Sequence, residues 1–232
     1  MVNTSSAAVL DTSSAAVLDN TQYAAFGHGT IVAGVIHLIA PRAMIMPLKA
    51  FHADGSANLS DIIRAIYYAD KQNARVIHMS FSFPSFSQET YQALKKANRD
   101  GIVAVASTGN DGSNTTAYPA GYSDVVMGVA STNNQDVRST FSNYGSQMTW
   151  LAAPGENIVS AYPYGHYVAA SGTSFSAPMV SGAVALLLDR AAATESQASG
   201  AVAHAKALTS DLGNGRLDLF QALQAWATSH PY

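Results

Sequence analysis

The sequence predicts an α/β fold of three layers, with a mostly parallel central sheet and helices on both faces. Three observations carry that expectation. Apolar runs of strand length alternate with helical stretches through the middle of the chain. One of these runs, Ile102-Val103-Ala104-Val105-Ala106, is apolar without interruption, as a strand covered on both faces must be. Near the C-terminus, the stretch from Ala170 to Asp189 passes through Ser174 and Pro178 into an apolar run with no charge before Asp189, which reads as a buried helix.

The chain opens with a tandem repeat: Thr4-Ser5-Ser6-Ala7-Ala8-Val9-Leu10-Asp11 recurs as Thr12-Ser13-Ser14-Ala15-Ala16-Val17-Leu18-Asp19. Each copy is a short apolar run between turn formers, so two short strands are expected. Phe26-Gly27-His28-Gly29-Thr30 leads into the apolar run Ile31 to Ile39, which reads as a buried helix with His28 at its first turn, stopped by Pro41. Ala43 to Phe51 reads as a strand and Asp54-Gly55-Ser56-Ala57-Asn58 as a turn. Ser60-Asp61 start a helix in which Ile62, Ile63, Ile66 and Tyr67 share a face. Val76 to Phe81 is the next strand, followed by a helix from Gln88 to Asn98 with Gly101 suited to its C-terminal cap.

Beyond Asn110 the spacing predicts short strands at Val125–Ala130, Met148–Ala152 and Ile158–Tyr162, with helices returning at Ser174. Proline is tolerated in a first helical turn, so Pro178 places the start of that helix near Ser174. The segment Asp211 to Asp218 is a turn leading into a last helix through Trp226. No linker or compositional break divides the chain, and 232 residues with 48% hydrophobic content suffice for one core, so a single domain over 1–232 is expected.

Composition narrows the function. Only 12% of residues are charged and the net charge is −3, so no basic footprint points to nucleic acid. No apolar run reaches the length of a membrane span. Cysteine is absent, which excludes disulfides, thiol catalysis and cysteine-ligated metals. The N-terminus shows no signal-peptide pattern, so any export signal or pro-segment is expected to lie outside this chain.

A serine at the start of a helix faces free backbone N–H groups and the positive end of the helix dipole, a favourable place to form an oxyanion. Gly172-Thr173-Ser174 with Ser176-Ala177-Pro178, Gly27-His28-Gly29-Thr30 with Val32-Ala33-Gly34, and Ser107-Thr108-Gly109-Asn110 together resemble the motifs of subtilisin-like serine proteases. Asn110 and Ser174 are 64 positions apart and His28 and Asn110 are 82 apart, against about 66 and about 91 in the family's type member. The closing segment Gly213-Asn214-Gly215-Arg216-Leu217-Asp218 resembles the family's last turn.

The resemblance implies a serine endopeptidase acting on polypeptides, secreted and made with a pro-segment. Ser174 would be the nucleophile, His28 its general base and Asn110 the oxyanion donor. It also implies that Ser80, Phe81 and Ser82 form an edge that pairs with extended substrate. Ala106, Ser107, Thr108 and Gly109 would line the cleft, and Ala117 the floor of the pocket for the residue before the cut bond. Tyr118-Pro119-Ala120 matches a segment in which the bond before proline is often cis. With Ala117 in place of the glycine seen in relatives, a shallower pocket and a medium apolar side chain are expected.

Three departures stand out. The chain between His28 and Ala43 lacks the loop that in many relatives builds a calcium site, so calcium is left open and no other cofactor is implied. His78-Met79-Ser80-Phe81-Ser82 stands where relatives usually show Asn-Met-Ser-Leu-Gly, and His78 is read as structural with His37, His52, His166, His204 and His230. The triad aspartate lies about thirty residues before the histidine in the family, whereas Asp11 and Asp19 lie 17 and 9 before His28. Asp11 is the better match, provided that the first repeat forms the strand beside the one leading to Ser107; otherwise the aspartate is Asp19 or precedes Met1. A second class of function follows from that ambiguity: a binding protein or impaired scaffold on the same fold.

Overall fold

The structure, a computed structural model, describes residues 6–11, 25–189 and 194–229. Its centre is a parallel sheet formed by β1 (Ser6–Asp11), β2 (Met44–Lys49), β3 (Val76–Met79), β4 (Val103–Ser107), β5 (Met127–Thr132) and β6 (Leu151–Pro154), in the order β2-β1-β3-β4-β5-β6. β1 therefore pairs with β2 and β3, and β3 separates it from β4, the strand leading to Ser107. That corrects the neighbour expected for the first repeat. The second repeat lies outside the described residues.

Alternation along the strands divides the core into two layers. Val76, Val103, Val105 and Val129 point to one face, where α4 (Thr173–Leu188), α5 (Glu195–Val202) and α6 (Leu219–Ser229) contribute Val180, Val184, Leu187, Val202 and Trp226. Ile77, Met79, Ala104 and Ala106 point to the other, against Ile62, Ile66 and Ala69 of α2 (Leu59–Lys71) and Ala93, Leu94 and Ala97 of α3 (Gln88–Arg99). The three-layer α/β expectation is met. β7 (Ile158–Tyr162) and β8 (His166–Ala170) form a separate antiparallel ribbon, and α1 (His28–Ile39) packs between that ribbon and α4.

Local chemistry explains where the elements differ from expectation. The amides of Val125 and Val126 both bond the Tyr122 carbonyl in a turn, so β5 begins at Met127. Met148 and Thr149 likewise bond the Gly145 carbonyl, which delays β6 to Leu151. β3 stops at Met79 because the chain leaves the sheet there. On α2 the buried positions are Ile62, Ile66 and Ala69, and Tyr67 is exposed, the small Ala69 taking the inward place one turn on. α4 starts at Thr173 as expected, but Pro178 lies inside the helix in its second turn. β8 and α5 have no counterpart among the expected elements, although Thr194 and Gln197 form the capping box of α5, a pattern readable in sequence.

The strand order places the site. From β1 the chain crosses to β2 on one side, and then builds β3 through β6 on the other. The turning point lies between β1 and β3, and ligands of open parallel sheets bind in the crevice beyond the carboxyl ends of the strands there. Asp11 ends β1, and Ser80 follows β3 directly with Leu10 paired to Met79.

Candidate active site

α4 begins against the end of β4, and Asn110 joins them. Its Oδ1 accepts hydrogen bonds from both the N–H and the hydroxyl of Thr173, each 2.9 Å, while the same hydroxyl oxygen accepts the Gly109 N–H at 3.3 Å. Two donors on one oxygen fix the orientation of the carboxamide. The Nδ2 amide is thereby turned away from Thr173 and, among the described residues, makes no hydrogen bond. It lies 3.5 Å from where a β-carbon on Gly172 would stand.

Ser174 is half-buried in the first turn of α4, and among the described residues its N–H has no acceptor. That is the ordinary state of an early helical amide, and it leaves a donor at the positive end of a long helix dipole. The Ser174 carbonyl, in contrast, accepts the Ser80 hydroxyl at 2.8 Å.

His28 is the first residue of α1, after Gly27 in the left-handed conformation at φ 78°. A β-carbon on Gly27 would also stand 2.5 Å from the Tyr162 ring, so only glycine lets the helix enter against the ribbon. The His28 ring lies beside Phe175, the residue after Ser174, with ring centroids 5.4 Å apart. Gly182 meets Ile39 at the far end of α1, where the two helices pack closely, and the His28–Phe175 contact shows their starts side by side.

The other predicted positions divide by burial. Ala106, Ser107 and Thr108 are fully buried, so only their backbone can face a cleft. Ser80 is buried as well, but Phe81 is half-exposed, Ser82 exposed, and among the described residues neither of their N–H groups takes a backbone acceptor. Ala117 is half-exposed and its carbonyl accepts the Gly121 N–H, next to a Tyr118–Pro119 bond that is cis as the resemblance implied. Phe83 and Tyr118 pair in an antiparallel bridge, with Phe86 packed edge-on against Tyr118 and Tyr122, and Tyr91 tilted against Tyr122. Burial pushes the Tyr122 phenol above its ordinary pKa, against the opposing effect of the Ser87 backbone bond. The backbone of Asp11 ends β1 one strand away from Ser80.

Three residues of the site carry no signal of their role in the sequence. Thr173 counts there only as a motif letter, yet it holds Asn110. Asn143 is buried and clamps the segment carrying Asn110: its Oδ1 accepts from the amides of Asp111 and Ser113, and its Nδ2 donates to the Thr108 carbonyl. Nothing local in the sequence marks Asn143, which lies 33 positions beyond Asn110. His78, read as structural, is completely buried between Ser80 and Ser181. Among the described residues no group of three or more His, Asp or Glu side chains is placed to hold a metal ion, and no helix is long and apolar enough to cross a membrane.

Comparison with known proteins bears on the family and the fold. The profile of the subtilase family matches residues 3–221. Subtilisin DY of Bacillus licheniformis is 37% identical over 71% of this chain and 64% of its own length, and Subtilisin Savinase of Lederbergia lenta is 36% identical over 69% of this chain and 62% of its own length. The chain thus spans less than two thirds of these relatives. In fold it is similar to a serine-to-alanine mutant of the protease domain of PatA, with a TM-score of 0.89, 23% identity and coverage of 98% of this chain and 97% of that one. The prenylagaramide maturation protease PagA superposes with a TM-score of 0.83 at 26% identity, covering 96% of this chain and 93% of that one.

Proposed function

The chain belongs to the subtilase family, and on that basis we propose that it is a serine endopeptidase that cleaves polypeptides through an acyl-enzyme on Ser174. The observation that carries this reading is the pairing where α4 meets β4: a carboxamide N–H of Asn110 and the N–H of Ser174, both without acceptors among the described residues.

In this mechanism the Ser174 hydroxyl attacks the scissile carbonyl as His28 takes its proton. The carbonyl oxygen becomes an oxyanion held by the Asn110 Nδ2–H and the Ser174 N–H, donors that need no reorganisation because Thr173 and the helix already fix them. His28 then gives its proton to the leaving amine, and water repeats the sequence on the acyl-enzyme. Although β1 lies beside β3 and not beside β4, the backbone of Asp11 ends β1 at the sheet end from which Ser80 leaves β3, and on that ground Asp11 is the carboxylate proposed to fix the His28 tautomer and stabilise the imidazolium. An extended substrate pairs with the unpaired backbone of Phe81 and Ser82, as an added strand would. Secretion is part of the proposal, in line with the Minor extracellular protease Epr of Bacillus subtilis, 36% identical over 71% of this chain.

The test is labelling of the purified chain with a fluorophosphonate probe, alongside Ser174→Ala. Modification mapped to Ser174 and lost in the variant is the expected result. A chain that does not label is a binding scaffold on this fold, and the proposal fails.

A further inference from the structure

Pro178 stands four residues after Ser174 in α4. Proline has no N–H, so the Ser174 carbonyl loses the donor that a regular helix would give it. The Ser80 hydroxyl fills that place at 2.8 Å. Ser80 has a single hydroxyl hydrogen, and it is committed to Ser174. The 2.6 Å contact between Ser80 Oγ and His78 Nε2 must therefore be donated by the imidazole N–H. In the neutral ring Nδ1 then accepts from the Ser181 hydroxyl, 2.8 Å away on the next turn of the same helix.

The network is costly to build and so calls for a reason. His78 is fully buried and points into the same layer as Val76 and Val105, where its register partners on either side are apolar. Ile77 and Met79 point the other way. An aliphatic residue at 78 would bring no polar group of its own to satisfy, losing only the bonds that the ring makes to Ser80 and to the buried Ser181 hydroxyl. What the imidazole adds is direction. Were Nε2 an acceptor, Ser80 would turn its hydrogen to the ring and leave a buried carbonyl uncovered at the nucleophile.

We propose that His78 is a positioning residue for Ser174, acting through Nε2–H to set the Ser80 hydroxyl as donor in place of the helical bond that Pro178 deletes. Ser174 is then held on both sides. The residue before it is fixed by Asn110, and its own carbonyl by His78 through Ser80. Small displacements of a reacting group cost large factors in rate, so both clamps bear on turnover.

The inference rests on Ser174 being the nucleophile, and the experiment separates the two. The full chain is compared with His78→Leu, His78→Gln, Ser80→Ala and the His78→Leu/Ser80→Ala double variant. The readouts are kcat and KM on a chromogenic peptide, the rate of fluorophosphonate labelling at Ser174, and the melting temperature. Ser80→Ala and His78→Leu are each expected to lower kcat and labelling rate by about 10- to 100-fold with KM nearly unchanged. The double variant should be no slower than the slower single one, and His78→Gln, whose amide can replace Nε2–H, should recover most of the rate. Turnover of His78→Leu within twofold of the native chain overturns the inference, as does a loss that multiplies with that of Ser80→Ala. Where His78→Leu does not fold, Ser80→Ala and His78→Gln carry the test on the same terms. Imidazole nitrogen NMR reads the tautomer whether or not the chain is active, and an Nδ1–H ring overturns the inference by itself. A native chain that fails to label defeats the proposed function instead.

Discussion

The side-chain oxygen of Asn110 accepts both the N–H and the hydroxyl of Thr173 at 2.9 Å, so the residue before the candidate nucleophile aims the candidate oxyanion donor. Thr173→Val keeps the shape and the backbone bond but removes the hydroxyl, and with it the acceptor for the Gly109 N–H. The carboxamide should then sample wrong orientations. We expect kcat to fall about 10-fold with KM nearly unchanged, a smaller version of the roughly 100- to 1000-fold loss that removal of this donor causes in subtilisin. Steady-state kinetics on a peptide anilide decide it; a rise in KM at constant kcat would assign Thr173 to substrate binding.

Asp11→Ala should reduce turnover by about 10,000-fold, the order known for the subtilisin aspartate, and Asp19→Ala far less. β1 brings the backbone of Asp11 to the same sheet edge as Ser80, which touches Ser174. Equal and small effects of both substitutions would remove Asp11 from the triad.

Gly182→Ala tests the crossing of α1 and α4. A β-carbon there would lie 2.7 Å from Ile39 Cβ, a branched atom tied to the backbone and unable to swing aside. The helices must separate, at a cost of about 1 to 3 kcal/mol. Urea denaturation should show a lower midpoint at unchanged slope. Because these helices carry His28 and Ser174, activity should fall in the folded fraction as well.

Asp136 gives a pH dependence with a defined sign. Lys206, then the Arg216 charge, hold its carboxyl below the usual aspartate range, the Lys206 contact being a 2.6 Å ion pair. A depressed folded-state pKa contributes stability above the unfolded value of about 3.9, lost as pH falls through the folded value. Asp136→Asn should cost about 0.5 to 1 kcal/mol at pH 7 and nothing at the acid end, so its stability curve should be flatter than that of the native chain below pH 5. Asn tolerates the positive φ of 62° at this position, which keeps the backbone out of the comparison. Parallel curves at all pH values would mean that the ion pair is idle.

The layered fold and three residues of the candidate site are legible in the amino-acid order, because those features have local causes. Uninterrupted apolar runs such as 102–106 require a covered strand, and a serine followed by small and apolar residues requires a buried helix start. Motif letters at fixed spacing then single out His28, Asn110 and Ser174. The neighbours of β1 are another matter, since strand order depends on which side of the sheet each crossover takes and no residue in the first repeat encodes that choice. The roles of Thr173, Asn143 and His78 likewise emerge only from packing in three dimensions. Each includes hydrogen bonds to residues far away in the chain, His78 reaching Ser181 across 103 positions, and a hydroxyl, an amide or an imidazole looks the same in sequence whether its partner is water or a residue of α4.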